Sequence, residues 1–186
     1  MVCPRLTRTW MLPRRQPMGE DLVIADTSPL INLAGIGEIE LLPRLYGAVS
    51  IPRQVAKEFA EGASATDPVL DQLPWLTVID DVIVDPSLPG SLGAGEAAAI
   101  TLARTTRARV LLLDEKHART VAQQLGLPVA GTLAILLRAK QHQLLPAVAP
   151  AIEAMLRQGR RFSLALVARA LSAADELDAL DTLPVE

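Results

Sequence analysis

Two short apolar runs in the sequence each end in an aspartate. Leu22-Val23-Ile24-Ala25 leads into Asp26, and Val110-Leu111-Leu112-Leu113 leads into Asp114. Continuous apolar runs of this length suit strands buried on both faces of a parallel sheet. A carboxylate at the end of such a strand sits beside an apolar interior, where its charge is unfavourable unless hydrogen-bonded, paired or bound to a metal. The plainer reading is that each aspartate caps the helix that follows it. Three more acids bear on the choice. Glu58 falls in a short helical segment, where a solvated face is the ordinary explanation. Glu96 follows a Gly93-Ala94-Gly95 turn and suits the start of a helix, as does Glu115 beside Asp114. No one of these positions is specific. Their joint placement is more so, because a parallel sheet gathers its strand ends on one edge, where open α/β sheets hold their ligands.

Carboxylates brought together on such an edge repel one another unless cations intervene. The hard, oxygen-seeking ions Mg²⁺ and Mn²⁺ fit that donor set and keep water in their shells. They lower the pKa of bound water and stabilise an in-line phosphoryl displacement, so the pattern points to phosphodiester chemistry without a nucleophilic side chain. Other chemistries lack their residues. There is no glycine-rich run followed by Lys and Ser/Thr, and Gly93-x-Gly95 is only a fragment of a dinucleotide fingerprint. His117 and His142 have no zinc-ligand spacing and read as ordinary helix or surface histidines. No nucleophile-elbow motif supports a Ser-His-Asp triad. A phosphohydrolase of the haloacid-dehalogenase kind needs a second Asp two residues after Asp26, where Ser28 stands.

The elements that must position these residues alternate between strand and helix. Thr27 and Ser28 cap, and Pro29 opens, a helix carrying Leu30, Ile31, Leu33 and Ala34; a second runs from Ile39 to Tyr46. Val49–Ile51 predicts a strand, and Pro52 then opens a helix with Val55, Ala56 and Phe59 on one side. Residues 62–71 read as a loop, Trp75–Ile79 as a strand and 80–90 as a connection. A strong helix covers Gly95–Thr105, and another follows Asp114 as far as Leu125. Val129 begins a short last strand, Thr132 caps a helix to Lys140, and Leu145–Arg157 and Leu164–Ala174 are helical. With no hairpin signal, the prediction is an α/β domain with a mostly parallel central sheet.

Composition narrows the class. The chain has 186 residues, half of them hydrophobic, with mean hydropathy +0.29, enough for one compact domain with an aliphatic core. Aromatics are 3%, too few for a recognition sheet that stacks bases. The net charge of −3 means that nucleic acid could be held only by a local basic rim or by bound cations. Arg104, Arg107, Arg109, Lys116, Arg119, Arg138 and Lys140 fall where acids are few. Lys116 and Arg119 follow Asp114 closely and are the best placed to contact phosphate, and Thr27 and Ser28 have hydroxyls for the same purpose. One cysteine, Cys3, and no long uncharged apolar stretch lead us to expect a cytoplasmic protein without a membrane span. Residues 1–20 form an arginine- and proline-rich segment, read either as a flexible basic arm or as a leader preceding a true start at Met18. The domain is expected over 21–175, followed by a loose acidic tail over 176–186. The apolar surplus after Leu145, with Leu156, Phe162, Leu164 and Leu166, completes the core or forms a partner surface, as do the Leu30–Leu45 helices.

Asp26-Thr27-Ser28-Pro29-Leu30-Ile31 resembles the opening motif of PIN-domain proteins, in which the first Asp is a metal ligand. Ile51-Pro52-x-x-Val55 leading to Glu58 resembles their second element with its helical Glu. Gly93-Ala94-Gly95-Glu96-Ala97-Ala98-Ala99-Ile100 resembles the third, with Glu96 where many relatives have Asp. Leu112-Leu113-Asp114-Glu115 with Arg119 and Ala122, then Gly126-Leu127-x-Val129-x-Gly131-Thr132, resembles the fourth, which commonly reads Asp-Asp. The resemblance spans residues 22 to 140, and to 174 less closely, and is nearest to a branch related to VapC-type toxins. It implies a three-layer α/β/α sandwich and an endoribonuclease using Mg²⁺ or Mn²⁺. Asp26, Glu58, Glu96 and Asp114 would be catalytic, and Asp26, Glu96, Asp114 and Glu115 would hold metal. Thr27, Ser28, Lys116 and Arg119 would contact RNA. A small antitoxin protein and a homodimer are the implied partners. Glu96 and Glu115 in place of Asp keep open a catalytically weak or inactive PIN-fold module that binds RNA or protein.

Overall fold

The computed structural model describes residues 22–64 and 67–184, apart from the side chain of Asp71. The basic segment 1–20 lies outside the described residues. Five strands, β1 (Val23–Ala25), β2 (Val49–Pro52), β3 (Leu76–Ile79), β4 (Val110–Leu112) and β5 (Val129–Ala130), form one sheet in the order β3-β2-β1-β4-β5. Every pairing is parallel. β1 and the last two residues of β4 are buried, as continuous apolar runs in the middle of a covered sheet should be.

Eight α-helices accompany the strands among the described residues. They are α1 (Thr27–Gly35), α2 (Leu41–Tyr46), α3 (Arg53–Gly62), α4 (Ala94–Thr106), α5 (Lys116–Gln124), α6 (Thr132–Gln141), α7 (Ala149–Arg157) and α8 (Leu164–Ala173). The crossovers β1→β2 and β3→β4 run in opposite directions across the sheet. Right-handed connections therefore put α1 and α2 on one face and α4 on the other, giving the three layers. α4 lies over β1, β2 and β4, and α6 packs against α1 and α2. Small residues make the α4 contact close: Gly95, Ala97, Ala98, Ala99 and Ala103 are all buried. α3 touches both α1 and α4, so Glu58 on α3 is delivered to the sheet's carboxyl edge from the side.

The elements differ from the sequence reading mainly at their ends. α7 begins at Ala149, not Leu145, since Pro146 breaks the pattern and Pro150 suits a first turn. The tail is not loose through Thr182. A 3-10 segment spans Leu177–Thr182, and Glu176 accepts hydrogen bonds from Lys140 Nζ at 2.6 Å and from the amides of Val148 and Ala149 at 2.9 and 2.7 Å. Burial pushes the Glu176 carboxyl up, but Lys140 and these amides outweigh it and hold the group below its ordinary value. One carboxylate thus fastens α6, the start of α7 and the end of α8. No helix among the described residues is long and apolar enough to cross a membrane.

Candidate active site at the carboxyl edge of the sheet

Asp26 and Asp114 both leave the carboxyl edge of the sheet, at the ends of neighbouring strands. The register separates them. Ala25 pairs with Leu112, and the Asp26 amide donates to the Leu112 carbonyl at 2.9 Å. Asp26 therefore stands level with Leu113, and Asp114 is one residue further on. Their surroundings differ: Asp114 is bonded to Asn32 of α1 and Thr132 of α6, whereas the charges acting on Asp26 are those of Glu58 on α3 and Glu96 on α4.

Asp26 turns toward α3 and α4. It is only 2% exposed, its Oδ1 is buried without a hydrogen-bond partner, and its side chain does not cap α1. Burial raises its pKa from 3.8 to about 7, and the nearby charges of Glu96 and Glu58 add to the rise; the amides of Thr27 and Ser28 draw it part of the way back without meeting hydrogen-bond geometry. Glu58 is held in place by the Thr27 hydroxyl and the Gly95 amide, each donating at 2.8 Å. A Cβ at 95 would collide with the Glu58 carboxylate and push it from this position. Glu96 accepts from the Gly93 amide at 2.9 Å, closing the first turn of α4. Asp26 thus feels the negative charge of both Glu96 and Glu58.

Asp114 is in the opposite condition. Its Oδ1 accepts from the Thr132 amide at 2.7 Å, and its Oδ2 accepts from the Thr132 hydroxyl at 2.5 Å and from Asn32 Nδ2 at 2.9 Å. It ties the end of β4 to the first residue of α6 and to α1. A Cβ on Gly131 would come within 2.7 Å of Asp114 Oδ1 and of Arg119 Nη1, so a side chain there would displace both groups. Glu115, expected as a metal ligand, is the N-cap of α5: its carboxylate accepts from the Ala118 amide at 2.7 Å, and that bond holds its pKa below the ordinary value.

The four expected carboxylates are held by different partners. Among the described residues, no three Asp, Glu, His or Cys side chains are gathered into a metal cage. The buried, unpartnered oxygen of Asp26 beside two further carboxylates nevertheless describes a place deficient in positive charge. Asp26, with its unpartnered oxygen, is the residue that could hold a divalent ion, with Glu96 and Glu58 near enough for their charges to act on it.

The expected substrate residues also divide. Thr27 is buried and engaged with Glu58. Ser28, Lys116 and Arg119 line an open groove of about 1000 Å³ beside Asp114. Arg119 donates to the Leu113 carbonyl at 2.8 Å, which fixes it at the strand end. Sequence reasoning missed Asn32, whose signal was a lone amide within the apolar α1 sequence. It also missed Arg160, Arg161 and Arg169, which line the same groove from the end of the chain. His117 is exposed and shares a 2.9 Å hydrogen bond with Ser91, as an ordinary surface histidine does.

An all-parallel sheet clothed by helices on both faces, with acidic side chains at its carboxyl edge, defines a doubly wound α/β protein with a ligand site at the strand ends. The chain belongs to the PIN-domain family: the model of a family described as PIN domain matches residues 22–176. No curated protein sequence matches it. Among solved structures it is similar to a PilT N-terminus domain protein from the hyperthermophilic archaeon Sulfolobus solfataricus P2. The match has 18% identity and a TM-score of 0.49, and covers 61% of this chain and 89% of that one.

Proposed function

We propose that the chain is a metal-dependent endoribonuclease in which Asp26, with Glu58 and Glu96, holds Mg²⁺ or Mn²⁺ at the carboxyl edge of the sheet. The observation that carries this reading is the Asp26 carboxylate: buried, unpartnered at Oδ1 and raised to about 7 beside two more acids. Such an arrangement is unfavourable in isolation and is relieved by a cation. A bound divalent ion would supply an acidified water and stabilise charge building on the phosphate. Thr27 and Gly95 orient Glu58 by their hydrogen bonds, and Gly93 orients Glu96. Asp114 acts as an anchor, holding Asn32, Thr132 and the strand end in register.

The biological role that goes with this activity is the toxin of a toxin–antitoxin pair, with a small antitoxin protein and a second copy of the chain as partners. The exposed Leu164 (55%) and Leu166 (44%) on α8 support an apolar contact of that kind, whereas Leu30, Leu33, Leu41 and Leu42 are used up in the core. Sedimentation as a monomer at all concentrations would remove the dimer. One observation favours a second reading. The absence of a three-ligand cage among the described residues suits a PIN-fold module that binds RNA or protein without cutting.

Cleavage separates the two. Single-stranded RNA incubated with the protein should be cut with Mn²⁺ or Mg²⁺ and spared with a chelator. Asp26→Asn should lower the rate roughly a hundredfold or more, as for loss of a metal-supporting group. Undiminished cutting by that variant, still folded, contradicts the proposal.

A further inference from the structure

Five basic side chains, Lys116, Arg119, Arg160, Arg161 and Arg169, line the groove that runs from Ser28 and Asp114 to the corner between α7 and α8. The only carboxylates lining it are Asp114 and Glu115, leaving a local excess of three positive charges in a chain whose net charge is −3. None of the five forms an ion pair among the described residues, whose salt bridges use Arg53, Arg104, Lys140 and Arg157. Both lining carboxylates are already committed, Asp114 to Thr132 and Asn32, Glu115 to the Ala118 amide. Arg160 Nε is buried with no hydrogen-bond partner. Phe162, half-buried and one of only five aromatic side chains in the chain, lies in the same groove.

Gathered cations without counter-ions raise the local potential and call for an anion. Arginines and lysines along a groove contact phosphates irrespective of sequence, and an aromatic ring among them offers a face on which a base can stack. Stacking needs an unpaired base, because bases of a duplex are closed to such a ring. An acidic peptide would satisfy the arginines but would have no use for the ring face.

We infer that this groove is a subsite for the backbone of single-stranded RNA. In it Arg160, Arg161 and Arg169 hold phosphates, Phe162 stacks a base, and Lys116 and Arg119 lead the strand toward the carboxyl edge. The inference rests on reading the chain as one that acts on RNA, and it adds the C-terminal helices as the second wall of the site. Glu176, by fastening α6, α7 and α8 together, keeps that wall in place.

Binding of a fluorescent oligouridine, followed by anisotropy with a chelator present so that nothing is cut, tests the subsite apart from the chemistry. Arg161 and Arg169 are exposed, so their removal leaves the core alone. The Arg161→Ala/Arg169→Ala double variant should bind on the order of tenfold more weakly, with its salt dependence flattened by about 0.7 for each contact removed. A double variant of equal charge outside the groove, Arg44→Ala/Arg157→Ala, should bind as the wild type does. Phe162→Leu keeps an apolar side chain but no ring, and should lose roughly tenfold as well.

The inference is overturned if the wild type fails to bind, if the two double variants behave alike, or if Phe162→Leu binds undiminished, which would mark the groove as a site for an acidic peptide. Wild-type protein that binds RNA through these residues but never cuts it would sink the nuclease reading and leave the subsite standing. Cleavage and binding both unchanged in the groove variant would do the reverse.

Discussion

Asp26 and Asp114 end adjacent parallel strands, follow equally apolar runs, and live in opposite electrostatic conditions. Asp26 has a buried oxygen with no partner and two acidic neighbours; Asp114 has three hydrogen-bond donors on its two oxygens. A single residue of register separates them, because Asp26 stands level with Leu113. The same local sequence thus yields a destabilising group at one strand end and a stabilising anchor at the next. Binding sites are built from groups of the first kind, which the fold tolerates because something else relieves them.

The largest effect expected from this contrast is on stability. Folded, Asp26 titrates near 7; unfolded, near 3.8. Between these values the folded chain holds a proton that the unfolded chain has released. Stability from this group is therefore fully present below about pH 4 and is lost as pH rises through about 7. The gap corresponds to ~4 kcal/mol as an upper bound. In metal-free protein, Asp26→Asn should raise the melting temperature at pH 8, and the gain should shrink steadily toward pH 4. A gain independent of pH would break the comparison from the Asp26 side.

Asp114→Ala should go the other way. It strips hydrogen bonds from the Thr132 amide and from Asn32, a buried side chain, and should destabilise by ~3 kcal/mol in denaturant titrations. If Asp114→Ala is neutral, the anchor role fails. A smaller effect sharpens the acidic side. Thr27→Val removes the hydroxyl that donates to Glu58, and should reduce stability by about 1 kcal/mol. It should weaken Mn²⁺ binding more than it weakens the fold, since Glu58 loses its orientation.

Much of the architecture could be read from the chain, and for physical reasons. The runs 22–25 and 110–113 are apolar at every position, which only a sheet covered on both faces explains, and the alternation of strand and helix leaves few other folds. Glu96 was singled out by the glycine turn before α4, whereas Glu58, whose helix position alone suggests a solvated face, was singled out only by the resemblance to the second PIN-domain motif. Other features were not. Which donors meet each strand-end aspartate depends on tertiary packing, which no local pattern encodes. Glu115 sits beside Asp114 and invites the same role, yet its carboxylate accepts from the Ala118 amide as the N-cap of α5. Asn32 and Thr132 meet Asp114 across 82 and 18 positions of chain, so their partnership is invisible along the sequence. Arg160, Arg161 and Arg169 reach the site only because α8 packs back on α6, a tertiary contact held by Glu176 from within the stretch that reads as tail.

The most direct test of the central claim is calorimetric titration of Mn²⁺ into metal-free protein at pH 6 and pH 8. If Asp26 is the heart of a cation site, Mn²⁺ binds more tightly at pH 8, displaces about one proton at pH 6, and does not bind measurably to Asp26→Asn, while Glu115→Gln binds as the wild type does. Equal Mn²⁺ binding by the wild type and Asp26→Asn at both pH values would contradict it.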